Sequence, residues 1–346
     1  MAKGQVGFGV IGLGMGRHHI QRIVPAAHAR LVGICDANPE RLETVGDEFG
    51  VAWRSTEYAE LLAHPDVDAV VVALPNFLHA PVSIAALQAG KHVLCEKPMA
   101  RNAREAEEML AASRAAGRYL MIHFNYRFTP PALALHDFVQ SGGLGEAYHA
   151  RSWWHRTRGI PGLGGWFTSK EAAGGGPLVD LGVHRLDLAL WLMGYPHAVS
   201  VSGATYSALG RELAGRSGKS LDVEDMASAF VRFDNGATLV LEASWAANGE
   251  RREEMLTQVY GTKAGLVHRN RGEGYEFEAR IFAERDGEYA TIEPALPEHI
   301  ETPQEHFARC ILEGRTPSAT GEQGLEVMRI LDAAYLSAER GEEVRL

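Results

Sequence analysis

Three side chains in this sequence have types and surroundings suited to moving a proton. Lys97 follows an apolar run and precedes Pro98, so a stiff turn would hold its ammonium at the end of a buried strand. Partial desolvation there lowers a lysine pKa toward an acid/base range; the same position also suits a surface lysine at a strand end. Glu96, next to it, has three open partners: Lys97, a cofactor or solvent. Further along, Gly174-Gly175-Gly176-Pro177 introduces a helix carrying Asp180, His184 and Asp187. Residues spaced by four share one helix face, so Asp180 and His184 can aim at one cleft. A histidine held by a carboxylate is a base for the hydroxyl proton when an alcohol loses hydride to a nicotinamide. The helix dipole alone also favours an acid at position 180, and a lone histidine also serves packing or capping.

Such chemistry needs a cofactor site, and residues 6–17 supply the pattern for one. Val6, Phe8, Val10 and Ile11 form an apolar strand that runs into Gly12-Leu13-Gly14-Met15-Gly16. Glycines there let the backbone turn tightly and approach a pyrophosphate at the start of the next helix. A helix over about 15–25 leads to a strand over 31–35 that ends at Asp36, the position of a ribose-binding acid. A carboxylate there favours NAD over NADP by repelling a 2'-phosphate. Asp36 also opens the turn Asp36-Ala37-Asn38-Pro39, with Asn38 as N-cap and Pro39 at the first helical position. Both roles are compatible.

Strand and helix alternate up to about residue 125: helices near 57–63, 80–89 and 103–116, strands at 69–74, 91–95 and 119–124. This predicts a doubly wound, mostly parallel α/β sheet with ligands beyond the carboxyl ends of its strands. The glycine turn, residues 75–79 and Glu96-Lys97-Pro98 all fall at that edge. Beyond it, a helix near 131–140 gives way to strands at 146–154, 198–206, 225–233, 237–245 and 256–261, with Asp234-Asn235-Gly236 as a hairpin turn and helices at 303–312 and 321–338. The expected organisation is residues 1–125 as a dinucleotide-binding domain and 126–346 as an α+β domain with a mainly antiparallel sheet.

The totals agree with a globular enzyme of two domains: 346 residues, 46% hydrophobic, net charge -10. That charge disfavours general binding to nucleic acid or anionic membranes. Three scattered cysteines, Cys35, Cys95 and Cys310, read as buried thiols in a reducing compartment. With no targeting or membrane-spanning segment, the expected location is cytoplasmic. No zinc-protease or serine-nucleophile motif occurs, and the 15 histidines form no obvious metal set by spacing, so no metal is expected.

Taken together, the glycine turn, Leu74-Pro75-Asn76-x-x-His79, the run from Gly90-Lys91-His92-Val93 to Glu96-Lys97-Pro98, and Gly174 to His184 with Asp187 resemble the Gfo/Idh/MocA family of sugar and cyclitol oxidoreductases. The resemblance implies a Rossmann domain binding nicotinamide, joined to an α+β domain whose open sheet serves homo-oligomerisation as a dimer or tetramer. It implies that Lys97, Asp180 and His184 face a sugar or polyol substrate: His184 as base, Lys97 polarising the hydroxyl oxygen, Asp180 orienting substrate. Pro75, Asn76, His79 and Glu96 would border the cofactor, and Trp166 as well. Arg156, within the aromatic and basic stretch 153–161, is a candidate substrate contact or a surface arginine. One departure stands out: Arg17 occupies the usual third glycine position and Gly16 precedes it, which could shift the helix start or bring Arg17 to the phosphates. Two other readings fit the same residues, an NAD-assisted glycoside hydrolase and a non-catalytic dinucleotide sensor.

Overall fold

The computed structural model describes residues 4–285 and 287–346, which fall into two compact units. The first comprises residues 1–124 and 301–325, the second 125–300 and 326–346. In the first, β1 (Val6–Ile11), α1 (Leu13–Ile23), β2 (Ala29–Cys35), α2 (Pro39–Glu48), β3 (Trp53–Ser55), α3 (Tyr58–Ala63), β4 (Ala69–Val72), α4 (Asn76–Gln88), β5 (His92–Cys95), α5 (Ala103–Ala116) and β6 (Leu120–Ile122) follow one another. Their strands pair in the order β3-β2-β1-β4-β5-β6, all parallel. Helices cover both faces of such a sheet, so β1 and β4 are buried throughout and read as unbroken apolar runs. The order reverses between β1 and β4, the switch point where these sheets bind ligands.

In the second unit, α6 (Pro130–Gln140), β7 (Ala147–Arg156), α7 (Lys170–Ala173), a π-helical turn (Leu178–Gly182) and α8 (Val183–Leu192) precede β8 (Ala198–Tyr206), α9 (Ala208–Arg216), β9 (Met226–Phe233), β10 (Thr238–Ser244), β11 (Glu253–Gly261), β12 (Ala264–Asn270), β13 (Phe277–Arg285) and β14 (Glu288–Ile292). The chain ends with α10 (Pro303–Glu313), α11 (Gly321–Arg340) and β15 (Val344–Arg345). A nine-stranded sheet, β14-β13-β12-β11-β7-β10-β9-β8-β15, is antiparallel except where β10 runs parallel to β7. The Asp234-Asn235-Gly236 turn joins β9 to β10, with Gly236 at φ 82°.

The expected second domain, 126–346, is divided: residues 301–325 belong to the first unit. The reason is burial. Helix α10 packs on β1, β2 and β5, placing fully buried Phe307 against Phe8 at 6.4 Å between ring centroids. Gln304 and Glu305 on the same helix bond His19 and His28. All three cysteines are buried and free. Among the described residues no helix is long and apolar enough to cross a membrane.

Candidate active site

The first unit presents a cradle built by the glycine turn. Gly12 has φ 87°, and a Cβ there would stand 2.4 Å from the Ala73 carbonyl oxygen, so only glycine turns the chain from β1 into α1. Gly16 fills the packing role expected of a third glycine, because a Cβ on it would press on Val10 at 2.8 Å. Arg17 therefore needs no glycine; it lies half-exposed and pairs with Glu48 at 2.7 Å. Gly14 differs: a Cβ added to it would meet nothing within 4 Å. Packing does not demand glycine at that position, whereas close approach of a ligand to the start of α1 would. The first turn of α1 carries no acidic residue, and Met15 is exposed, so the helix N-terminus suits a pyrophosphate.

Asp36 is buried and ties this turn to the end of β2. One of its oxygens accepts the Leu13 N–H at 2.8 Å and a bond from Arg41 at 3.2 Å; the other accepts the Asn38 N–H at 2.8 Å. Asn38 caps α2 through the Arg41 N–H, with Pro39 next, as its turn chemistry predicts. Pro75 and Asn76 open α4. His79 on that helix is buried, its ring nitrogens 2.7 Å from the Pro98 and Leu74 carbonyl oxygens. Burial lowers its pKa while the two carbonyls oppose the shift. It thereby fastens the 74–76 turn to the Glu96–Pro98 turn.

Glu96 pairs with residues that spacing did not reveal. Its Oε1 lies 2.8 Å from His19 Nε2 and 2.9 Å from His123 Nδ1, and its Oε2 accepts the Lys97 N–H at 3.2 Å. Burial alone would raise this carboxyl, but His123 and His19 outweigh it and hold it well below the usual range. Gln304 Nε2 stands 2.7 Å from His19 Nδ1. With the Gln304 amide nitrogen as donor to Nδ1, the proton of a neutral His19 is on Nε2, facing Glu96. His19, Glu96 and His123 form a group that could hold a metal ion, but both contacts to Oε1 have the length of N–H···O bonds. The sequence did carry a signal for two members. His19 sits on the apolar stripe of α1, and His123 follows β6 as Glu96 follows its neighbour β5.

In the second unit the Gly174–Pro177 turn is shaped by close neighbours. A Cβ on Gly175 would lie 2.1 Å from the Tyr335 hydroxyl, and one on Gly176 2.2 Å from the Glu224 carbonyl oxygen. Buried Glu224 accepts from the Gly176 and Leu178 N–H groups and the Tyr335 hydroxyl, so it binds the orphan donors at the start of this helix. Burial raises its pKa against the pull of those donors. The helix is not a plain α-helix: residues 178–182 make a π turn before α8, so Asp180 and His184 stand on a wider turn than the expected helix.

Asp180 accepts the indole N–H of Trp245 at 2.9 Å; Trp245 is fully buried in a cluster with Tyr126, Trp154, Leu181 and Met255. His184 lies edge-on to Tyr126, 5.0 Å between centroids, and 5.8 Å from Trp154. Asp187 serves differently. It is buried and bound by Arg127 at 2.5 and 3.0 Å and by the Tyr195 hydroxyl at 2.6 Å. Arg156 bonds Glu253 and the Tyr275 hydroxyl at 2.8 Å each and lies over Trp154. Trp166 stacks on Phe167 at 3.8 Å beside the glycine-rich loop. Trp245, Glu224, Arg127 and Tyr335 lie far along the chain from their partners, and no local pattern announces them.

The parallel sheet with its glycine cradle and fixed acid defines a dinucleotide-binding protein, and the chain matches the model of an oxidoreductase family with an NAD-binding Rossmann fold over residues 6–124. The GFO/IDH/MocA C-terminal domain matches residues 132–267. The chain belongs to the Gfo/Idh/MocA oxidoreductase family. It is 33% identical over 326 residues to D-glucoside 3-dehydrogenase of Escherichia coli (strain K12), covering 91% of this chain and 90% of that one. It is 28% identical to D-xylose 1-dehydrogenase (NADP(+)) 2 of Haloferax volcanii, covering 98% and 99%. Levoglucosan dehydrogenase, solved with NADH and levoglucosan, superposes with a TM-score of 0.85 at 26% identity over 99% of each chain.

Proposed function

We propose that this protein is an NAD-dependent dehydrogenase acting reversibly on a secondary hydroxyl of a sugar, sugar derivative or cyclitol. Its similarity to sugar dehydrogenases supports the substrate class. The observation that carries the reading is that Asp180, held by the Trp245 indole, and His184, edge-on to Tyr126, stand on the π turn and the first turn of α8 that follows it. When bound, the nicotinamide supplies the hydride acceptor. Gly12, Leu13, Gly14, Met15 and Gly16 hold the pyrophosphate, and Asp36 binds the ribose. Pro75, Asn76, His79, Glu96 and Trp166 border the cofactor. His184 takes the hydroxyl proton, Lys97 donates to the hydroxyl oxygen, and Asp180 accepts from a neighbouring hydroxyl and fixes the ring. Arg156 adds a polar contact to substrate.

The position of Asp36 after β2, bonded to the Leu13 N–H of the glycine turn, supports NAD as the preferred cofactor. The nine-stranded sheet leaves Tyr148, Tyr206 and Tyr289 exposed on its fifth, eighth and first strands, and a homo-oligomer formed through this sheet is part of the proposal. Purified protein given NAD, and separately NADP, with pyranoses, sugar acids and inositols should form reduced nicotinamide with NAD in the presence of at least one sugar. Cofactor binding without reduction across the panel, or equal use of NADP, would count against the substrate class or the cofactor preference respectively.

A further inference from the structure

Arg185, the residue after His184, is fully buried, and among the described residues none bonds its Nε, Nη1 or Nη2. Its guanidinium instead lies over Tyr126 at 4.4 Å, Trp154 at 5.7 Å and Phe277 at 5.9 Å. Two of these rings, Tyr126 and Trp154, are also the ring neighbours of His184. A positively charged imidazole at 184 would thus share its aromatic neighbours with a cation that is already desolvated. Like charges in a poorly screened interior disfavour each other.

We propose that Arg185 is a positioning residue that keeps His184 neutral, and so ready to accept a proton, through the rings they share. The proposal rests on the reading of His184 as the base. Burial brings Arg185 down to about 10, which leaves it charged at neutral pH. Three other charges on elements packed against α8 have partners of their own. Arg127 is matched by Asp187, Arg156 by Glu253, and Asp180 accepts from Trp245. His136 on α6 stacks on Trp191, with its pKa lowered by burial. His268 on β12, stacked on Phe277, is held neutral by burial and by Arg185. Arg185 is therefore the one buried cation beside His184, among the described residues, with no hydrogen-bonded counter-charge.

The test is an NMR titration of histidine-labelled protein, with the His184 signal assigned by its loss in His184→Asn. Wild-type His184 should titrate below the ordinary histidine value of about 6.5. Arg185→Met should raise it by about one pH unit, and Arg185→Lys, which keeps the charge, should leave it near wild type. If the Met variant does not fold, Arg185→Gln takes its place with the same expectation. A wild-type His184 titrating at or above about 6.5, or no rise in the neutral variants, overturns the proposal. The acid limb of kcat/KM separates the two ideas. If the NMR titration moves with Arg185 while that limb does not, Arg185 acts as proposed and His184 is not the base.

Discussion

Glu96 and Arg185 are both buried charges placed next in sequence to a proposed reacting side chain, and the protein satisfies them by opposite means. Glu96, beside Lys97, takes N–H donors on both oxygens, two from imidazoles and one from the backbone. Arg185, beside His184, has no hydrogen-bond partner among the described residues and three aromatic faces. A carboxylate concentrates its charge on two oxygens and needs donors, whereas a guanidinium spreads its charge over a plane that ring faces accept. The first arrangement fixes backbone geometry at the Lys97 turn. The second leaves a positive field beside a histidine.

The largest expected effect is on chemistry. Lys97→Ala and His184→Ala should each lower turnover about 100- to 10,000-fold while cofactor binding, followed by fluorescence titration, stays intact. Loss of cofactor binding in a folded variant would contradict the assigned roles. The contrast between the two charges is sharpened next by stability. Glu96→Gln, which strips an acceptor from a buried network, should cost about 1–3 kcal/mol in urea unfolding. Arg185→Met, exchanging an unbonded buried charge for an apolar chain, should cost less than that or stabilise the fold. The reverse order would break the comparison.

Acid should act on both units. His79, His92 and His268 have lowered pKa values, chiefly from burial, with His92 at about 4. Below about 6.5 the unfolded chain takes up protons that these folded histidines do not, so stability falls as pH drops toward their folded values. Glu96 acts in the same direction lower down. Its stabilisation is present above about 4.5 and is lost as pH falls through its depressed folded value. Thermal melts should be level near about pH 7–8 and decline from about pH 6.5. A smaller effect is expected from Trp245→Phe, which removes one bond to Asp180. It should raise KM by about 2- to 10-fold with a lesser change in kcat, corresponding to about 0.5–1.5 kcal/mol.

Much of this architecture is legible in the sequence because local signals agree. Apolar runs, glycine stops and N-caps mark the α/β alternation as far as Phe124. The three-residue edge strand β3 lacks such a signal, β12 buries the polar His268 and Asn270, and β13 and β14 carry polar residues on half-exposed faces, all of which blurs their periodicity. Helix α10 reads correctly as a helix, yet its membership of the first unit depends on Phe307 meeting Phe8, about 300 residues away in the chain. The same limit applies at the site. Lys97, Asp180 and His184 stand in recognisable motifs, whereas the bonds of His19 and His123 to Glu96, of Trp245 to Asp180 and of Glu224 to the Gly176 turn are tertiary contacts that no local pattern encodes. Asp187 shares the second motif but is engaged in an ion pair with Arg127.

The most direct test of the central claim is hydride transfer itself. Protein is mixed with NAD and pyranoses deuterated on carbon, and the mass of the nicotinamide product is read. Reduced nicotinamide carrying one added deuterium, formed by wild type and nearly absent with His184→Ala, is the predicted result. Tight NAD binding with no deuterium transfer to the nicotinamide from any sugar would contradict the dehydrogenase reading.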